Sequence, residues 1–186
     1  MRLRALLFGL LLAICGLNAQ AEELITSFHA DIDLAKSGRM TVAETIDVIS
    51  EGYKIKRGIF RDFPLTFIGG DGAMHRVDFK ILRIERDGAA EPYKTESIDN
   101  GIRIYIGQED VFLESGPHRY KIVYETGRQM RYFAKHDELF WNVNGTGWQF
   151  RALDVSATVK LPSGVSPEAT LYYTGRLGST ERNARV

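Results

Sequence analysis

Cysteine is nearly missing from this chain. Of 186 residues, one is cysteine, Cys15, and it sits inside the N-terminal apolar run. Everything after Ala21 is therefore without disulfides and without thiolate nucleophiles or ligands. A surplus of either charge is missing too. Lys and Arg number 24, and Asp and Glu number 24. That balance, with no basic stripe, excludes a general nucleic-acid binder. Long apolar stretches are absent as well. The longest, residues 5–17, falls short of the roughly 20 residues a helix needs to cross a bilayer. Several catalytic signatures are also lacking. There is no Gly-x-Ser-x-Gly elbow, no His-Glu-x-x-His zinc motif and no Walker-type phosphate loop. The sequence calls for no cofactor.

What is present begins with an address. Arg2 and Arg4 precede the apolar run, and Ala19-Gln20-Ala21 places small residues at the positions a signal peptidase reads. A positive start, an apolar middle and a small-residue site make a secretory signal peptide over residues 1–21. The expectation is an exported chain, working in the periplasm or on the extracytoplasmic face of the cell membrane. Lipid attachment at Cys15 would need a small residue before it, and Ile14 is large and branched.

The body, residues 22–176, alternates with period two. Phe28, Ala30, Ile32 and Leu34 alternate with His29, Asp31 and Asp33. The same rhythm runs through Ile102, Ile104 and Ile106, through Tyr120, Ile122 and Tyr124, and through Val155, Ala157, Val159 and Leu161. Val77, Phe79 and Ile81 run on into Ile84. Successive strand side chains point to opposite faces, so each segment has one core face. Turn signals separate the segments: Lys36-Ser37-Gly38, Gly69-Gly70-Asp71-Gly72, Asp87-Gly88, Asn100-Gly101 and Ser115-Gly116-Pro117. Asn100-Gly101 suits a type I′ hairpin turn. The predicted fold is all-β, an antiparallel β-sandwich of immunoglobulin-like or similar type. A short helical turn is expected near residues 109–114. Residues 177–186 read as a polar tail or a truncated linker.

Three clusters carry the candidate chemistry. Glu44 falls in phase with Met40, Val42, Ile46 and Val48 on a core face. A carboxylate there needs a partner, and Arg57 and Arg61 are the nearest cations. The expectation is a partly buried ion pair with one of them. The alternative is a wet strand edge. Residues 56–64 crowd Lys56, Arg57, Phe60, Arg61, Asp62 and Phe63 together. Arginine forks suit carboxylate or phosphate, so an anion or lipid-headgroup site competes with a loop pinned by Arg61 and Asp62 over core aromatics. Residues 137–148 run Asp137-Glu138-Leu139-Phe140-Trp141-Asn142-Val143-Asn144-Gly145-Thr146-Gly147-Trp148. Here the expectation is a hairpin with Trp141 and Trp148 on its two arms. Stacking of sugar or peptide on those rings is the functional alternative. His136-Asp137-Glu138 is the one acidic–histidine cluster, a weak pointer to metal or acid/base chemistry.

Val42-Ala43-Glu44-Thr45-Ile46, Arg57-Gly58-Ile59-Phe60-Arg61-Asp62-Phe63-Pro64, the run from Gly116 to Tyr124 and the Asp137–Trp148 run occur in this order. Together they resemble the bacterial predicted membrane proteins carrying domain of unknown function 2207. The resemblance implies a signal peptide, an extracytoplasmic β domain and then membrane-spanning helices, with no catalytic residues to carry over. It also implies further strands after Gly175, so the chain reads as a fragment short of its last strands, held to the membrane by a C-terminal part. The function expected is non-enzymatic: sensing or binding a protein partner in the envelope. The runner-up is a hydrolase or transferase of envelope polymers using the His136 cluster. A shielding role for a membrane assembly is the third reading.

Overall fold

The computed structural model describes residues 22–68, 72–176 and 178–185. The signal-peptide reading of residues 1–21 lies outside them. The described residues form thirteen strands and no helix. In chain order these are β1 (Leu24–Leu34), β2 (Met40–Ser50), β3 (Gly58–Pro64), β4 (Thr66–Ile68) and β5 (Met74–Arg76). Next come β6 (Asp78–Arg86), β7 (Ala89–Ala90), β8 (Tyr93–Ile98) and β9 (Gly101–Gly107). The last are β10 (Gly116–Gly127), β11 (Met130–Tyr132), β12 (Asp137–Leu139) and β13 (Val155–Lys160).

Two sheets make the body. One has six strands in the order β13-β1-β2-β10-β6-β7, and the other three in the order β3-β9-β8. Their inner faces meet in one core. Phe63 on β3 packs 4.7 Å from Phe79 on β6 and 4.9 Å from Tyr124 on β10, ring centre to ring centre. The strict alternation of β2 buries Met40, Val42, Glu44, Ile46 and Val48 together. Two bulges reset the rhythm elsewhere. An extra residue at Thr26 shifts the β1–β2 register, so that both Ile25 and Phe28 turn inward. An extra residue on β6 lets Ile81 and Ile84 both turn to the core, leaving Leu82 outside.

Several local expectations need correcting. Residues 109–110 turn without forming a helix. In the β8–β9 hairpin, Asp99 and Asn100 form the turn while Gly101 already pairs with Ile98. Neither turn residue has the positive φ of a type I′ turn. That geometry occurs instead at Asp87-Gly88, with φ of 51° and 84°, joining β6 to β7. Gly116 opens β10 rather than making a turn. Residues 58–64 are a strand, not a loop, so Phe60 faces away from the core that holds Phe63. The sheets are antiparallel except that β13 runs parallel to β1. The alternating residues Val155, Ala157 and Val159 do share the side of Phe28, Ala30 and Ile32, yet every residue of β13 is exposed. The six-stranded sheet is wider than its partner, which leaves the β13 end uncovered.

Candidate functional site

The centre of the sandwich is charged. Glu44 projects inward from β2 and Arg61 from β3, so one ion pair ties the two sheets together. Both side chains are buried, Glu44 fully and Arg61 at 3% exposure. The pair is bidentate: Arg61 Nη2 donates to Glu44 Oε1 at 2.8 Å and Nε to Oε2 at 2.9 Å. Tyr124 on β10 donates its hydroxyl to Glu44 Oε1 at 3.0 Å. The remaining Arg61 nitrogen, Nη1, donates to the Asp62 carbonyl at 2.9 Å. Burial works against the charge on Arg61, but the carboxylate of Glu44 outweighs it and raises the guanidinium pKa. Burial, reinforced by that carboxylate, pushes the Tyr124 hydroxyl well up. Fork-on-carboxylate geometry with satisfied lone pairs is what lets such a pair persist in a core. Phe63 lies 4.6 Å from the guanidinium carbon, and Phe28 and Trp148 lie at 5.7 and 5.8 Å.

Asp62, the next residue, turns outward. Arg103 on β9 grips it through two bonds of 2.6 and 2.8 Å and stacks over Phe60 at 4.2 Å. Hydrogen bonding to Asp62 raises the Arg103 pKa further. Arg57, by contrast, is exposed and lies over Phe112 at 4.4 Å, away from Glu44. Arg57 falls in the same alternation but precedes β3, which begins at Gly58, whereas Arg61 sits within the strand between buried Ile59 and Phe63.

The Asn142–Trp148 run reaches the same place. It is not a hairpin: residues 140–150 carry no strand, because two positive-φ glycines bend the chain back. Asn142 Oδ1 accepts from the Gly145 amide at 3.2 Å, and Trp148 Nε1 donates to the Asn144 carbonyl at 2.7 Å. The closed loop lies on the charge cluster. A Cβ on Gly145 (φ +69°) would collide with the Arg61 guanidinium, and one on Gly147 (φ +88°) with the Asp62 carboxylate. Trp148 packs edge-on against Phe28, with ring centres 6.4 Å apart. Trp141 packs against the core with its Nε1 buried and unbonded.

The His136 cluster is built differently. His136 stacks on Phe133 at 4.7 Å, while Asp137 and Glu138 enter β12. Glu138 faces Arg131 across the β11–β12 hairpin at 3.5 Å. Among the described residues, no three His, Cys, Asp or Glu side chains group as metal ligands. The same hairpin shows features the alternation pattern does not signal. Tyr132, Phe133 and Phe140 stand 70%, 51% and 56% exposed. Arg131 stacks over Phe140 at 4.7 Å.

Arginine grips thus hold the two sheets, and the fold is an all-β domain closed by a buried ion pair. The chain belongs to the family of predicted membrane proteins defined by the DUF2207 N-terminal domain, whose model matches residues 24–185. It is 28% identical over 167 residues to the Escherichia coli K12 protein named "Uncharacterized protein YciQ". The match takes in 89% of this chain and 26% of that one, so the chain spans about a quarter of that relative's length. Among solved structures, a two-domain M1 zinc metallopeptidase bound to L-arginine is similar over 87% of this chain and 37% of its own. The TM-score is 0.48 and the identity 14%. Yeast LTA4 hydrolase is similar over 55% and 14%, at a TM-score of 0.40 and 9% identity. Likenesses this slight carry no functional reading. Among the described residues, no helix is long and apolar enough to cross a membrane.

Proposed function

We propose that this chain is a non-enzymatic, extracytoplasmic binding domain of a larger bacterial envelope membrane protein. The observation that carries this reading is the β11–β12 hairpin. It holds Tyr132, Phe133 and Phe140 out to solvent, close to one another in sequence. Exposed aromatics beside an arginine have the composition of a protein-binding patch. The hairpin leads directly into the loop seated on Arg61 and Asp62, so its root is fixed while its tip is open. The charge cluster itself offers a ligand little, because both Glu44 oxygens and all three Arg61 nitrogens are already bonded.

The test is a photo-crosslinking residue at position 133 in the full-length protein in living cells. A discrete envelope partner is expected, lost when Tyr132→Ala and Phe140→Ala are combined. A substitution His136→Ala, Asp137→Ala, Glu138→Ala that abolishes turnover of an envelope polymer would instead establish the enzymatic reading. Absence of any crosslink along the hairpin would remove the binding one.

A further inference from the structure

The six-stranded sheet ends in a strand with a neighbour on one side only, β13. Its outer edge can be read from its inner one. The Phe28 amide donates to the Asp154 carbonyl at 2.9 Å, and Val155 stands in register with Phe28. In a strand, alternate residues turn their main-chain groups to the same side. The amides and carbonyls of Ser156, Thr158 and Lys160 therefore face β1, and those of Val155, Ala157 and Val159 face outward. Among the described residues no strand pairs with that side, and all of β13 is exposed. The inner-facing valines, Val155 and Val159, are 42% and 45% exposed.

The sequence along this edge is self-complementary. It reads Asp154-Val155-Ser156-Ala157-Thr158-Val159-Lys160. Turned antiparallel onto itself about Ala157, it sets Asp154 opposite Lys160, Val155 opposite Val159 and Ser156 opposite Thr158. The outward main-chain groups fall in register as well, because Val155, Ala157 and Val159 meet Val159, Ala157 and Val155. Each of these pairs exchanges both its hydrogen bonds, as a narrow antiparallel pair does. Opposite charges and matched β-branched residues directly across strands favour pairing, whereas like charges oppose it. Exposed Asp154 is free to take the second copy's lysine, and Lys160 holds Asp33 of its own chain at an open 2.8 Å pair.

We propose that β13 is a homotypic docking edge: two copies of this chain pair antiparallel through residues 154–160 and join their six-stranded sheets into one. The valines of both copies then lie side by side on the uncovered inner face. The surface is separate from the aromatic hairpin and does not depend on the reading of that hairpin.

Sedimentation of the purified chain from low micromolar to submillimolar concentration tests this. A reversible monomer–dimer equilibrium is expected. Asp154→Lys places lysines opposite each other at both ends and raises the dissociation constant about tenfold. Adding Lys160→Asp to the same chain recreates both ion pairs, and the dimer returns to within about threefold of its original strength. Ala157→Pro removes an outward amide without touching β1 and abolishes the dimer while leaving the monomer's circular dichroism intact. A chain that stays monomeric throughout overturns the proposal. So does a dimer whose strength the double charge exchange fails to restore.

Discussion

At the scale of single residues, the domain depends on carboxylates that meet their donors in the right number. Glu44 is the clearest case. Glu44→Gln leaves Arg61 charged, buried and half-bonded, and we expect a loss of about 3–5 kcal/mol in urea unfolding. Combining it with Arg61→Met removes both charges and recovers most of that loss. Glu23 works nearer the surface. Its carboxylate accepts from the amides of Glu51, Tyr53, Lys54 and Ile55, closing the loop between β2 and β3. Burial pushes its pKa up, but the four amides outweigh burial and set it below the usual 4.5. A depressed folded-state pKa stabilises the fold above the unfolded value and loses that contribution as pH falls through the folded one. Glu23→Gln should therefore melt lower than the parent at neutral pH. The gap should close as pH drops below about 4.5 in parallel melts.

At the scale of elements, the informative piece is the loop of residues 142–148. It has no strand partners, and its position is set by two glycines against two charged side chains. Gly145→Ala imposes a left-handed backbone on a side chain and drives a methyl into Arg61, at a cost of about 1–3 kcal/mol. The fluorescence of Trp148 should report the loop lifting from Phe28 before the sheets unfold. Here the sequence was only half legible. The period-two pattern marks β1, β2, β9 and β10 closely, because each buries one face. It marks Glu44 for the same reason, but it does not choose between Arg57 and Arg61, which fall in one phase with Ile59 and Phe63; the start of β3 at Gly58 makes that choice. The path of residues 140–150 leaves no periodic trace, since it depends on contacts with a strand some eighty positions earlier. Tyr124 and Arg103 escape notice likewise. Each reads as an ordinary position of an alternating run until the sheets are laid face to face.

At the scale of the whole molecule, stability rests on packing and on arginine–carboxylate contacts. Residues 22–186 contain no cysteine, so dithiothreitol should leave the melting temperature unchanged. A shift would mean that Cys15 remains attached and forms a bond of its own. The uneven widths of the two sheets were not legible in the sequence. Val155, Ala157 and Val159 have a core strand's pattern, and only the reach of the smaller sheet decides that they stay in solvent. The parallel pairing of β13 with β1 also sets a timetable. His29 bonds Ser156 across 127 positions of chain. A chain delivered at the synthesis rate of roughly 5–20 residues per second presents β1 on the order of ten seconds before β13. During that interval one flank of β1 stands open. β1 is thus open to misassembly until β13 arrives, and from then on the open edge of the sheet is β13's own.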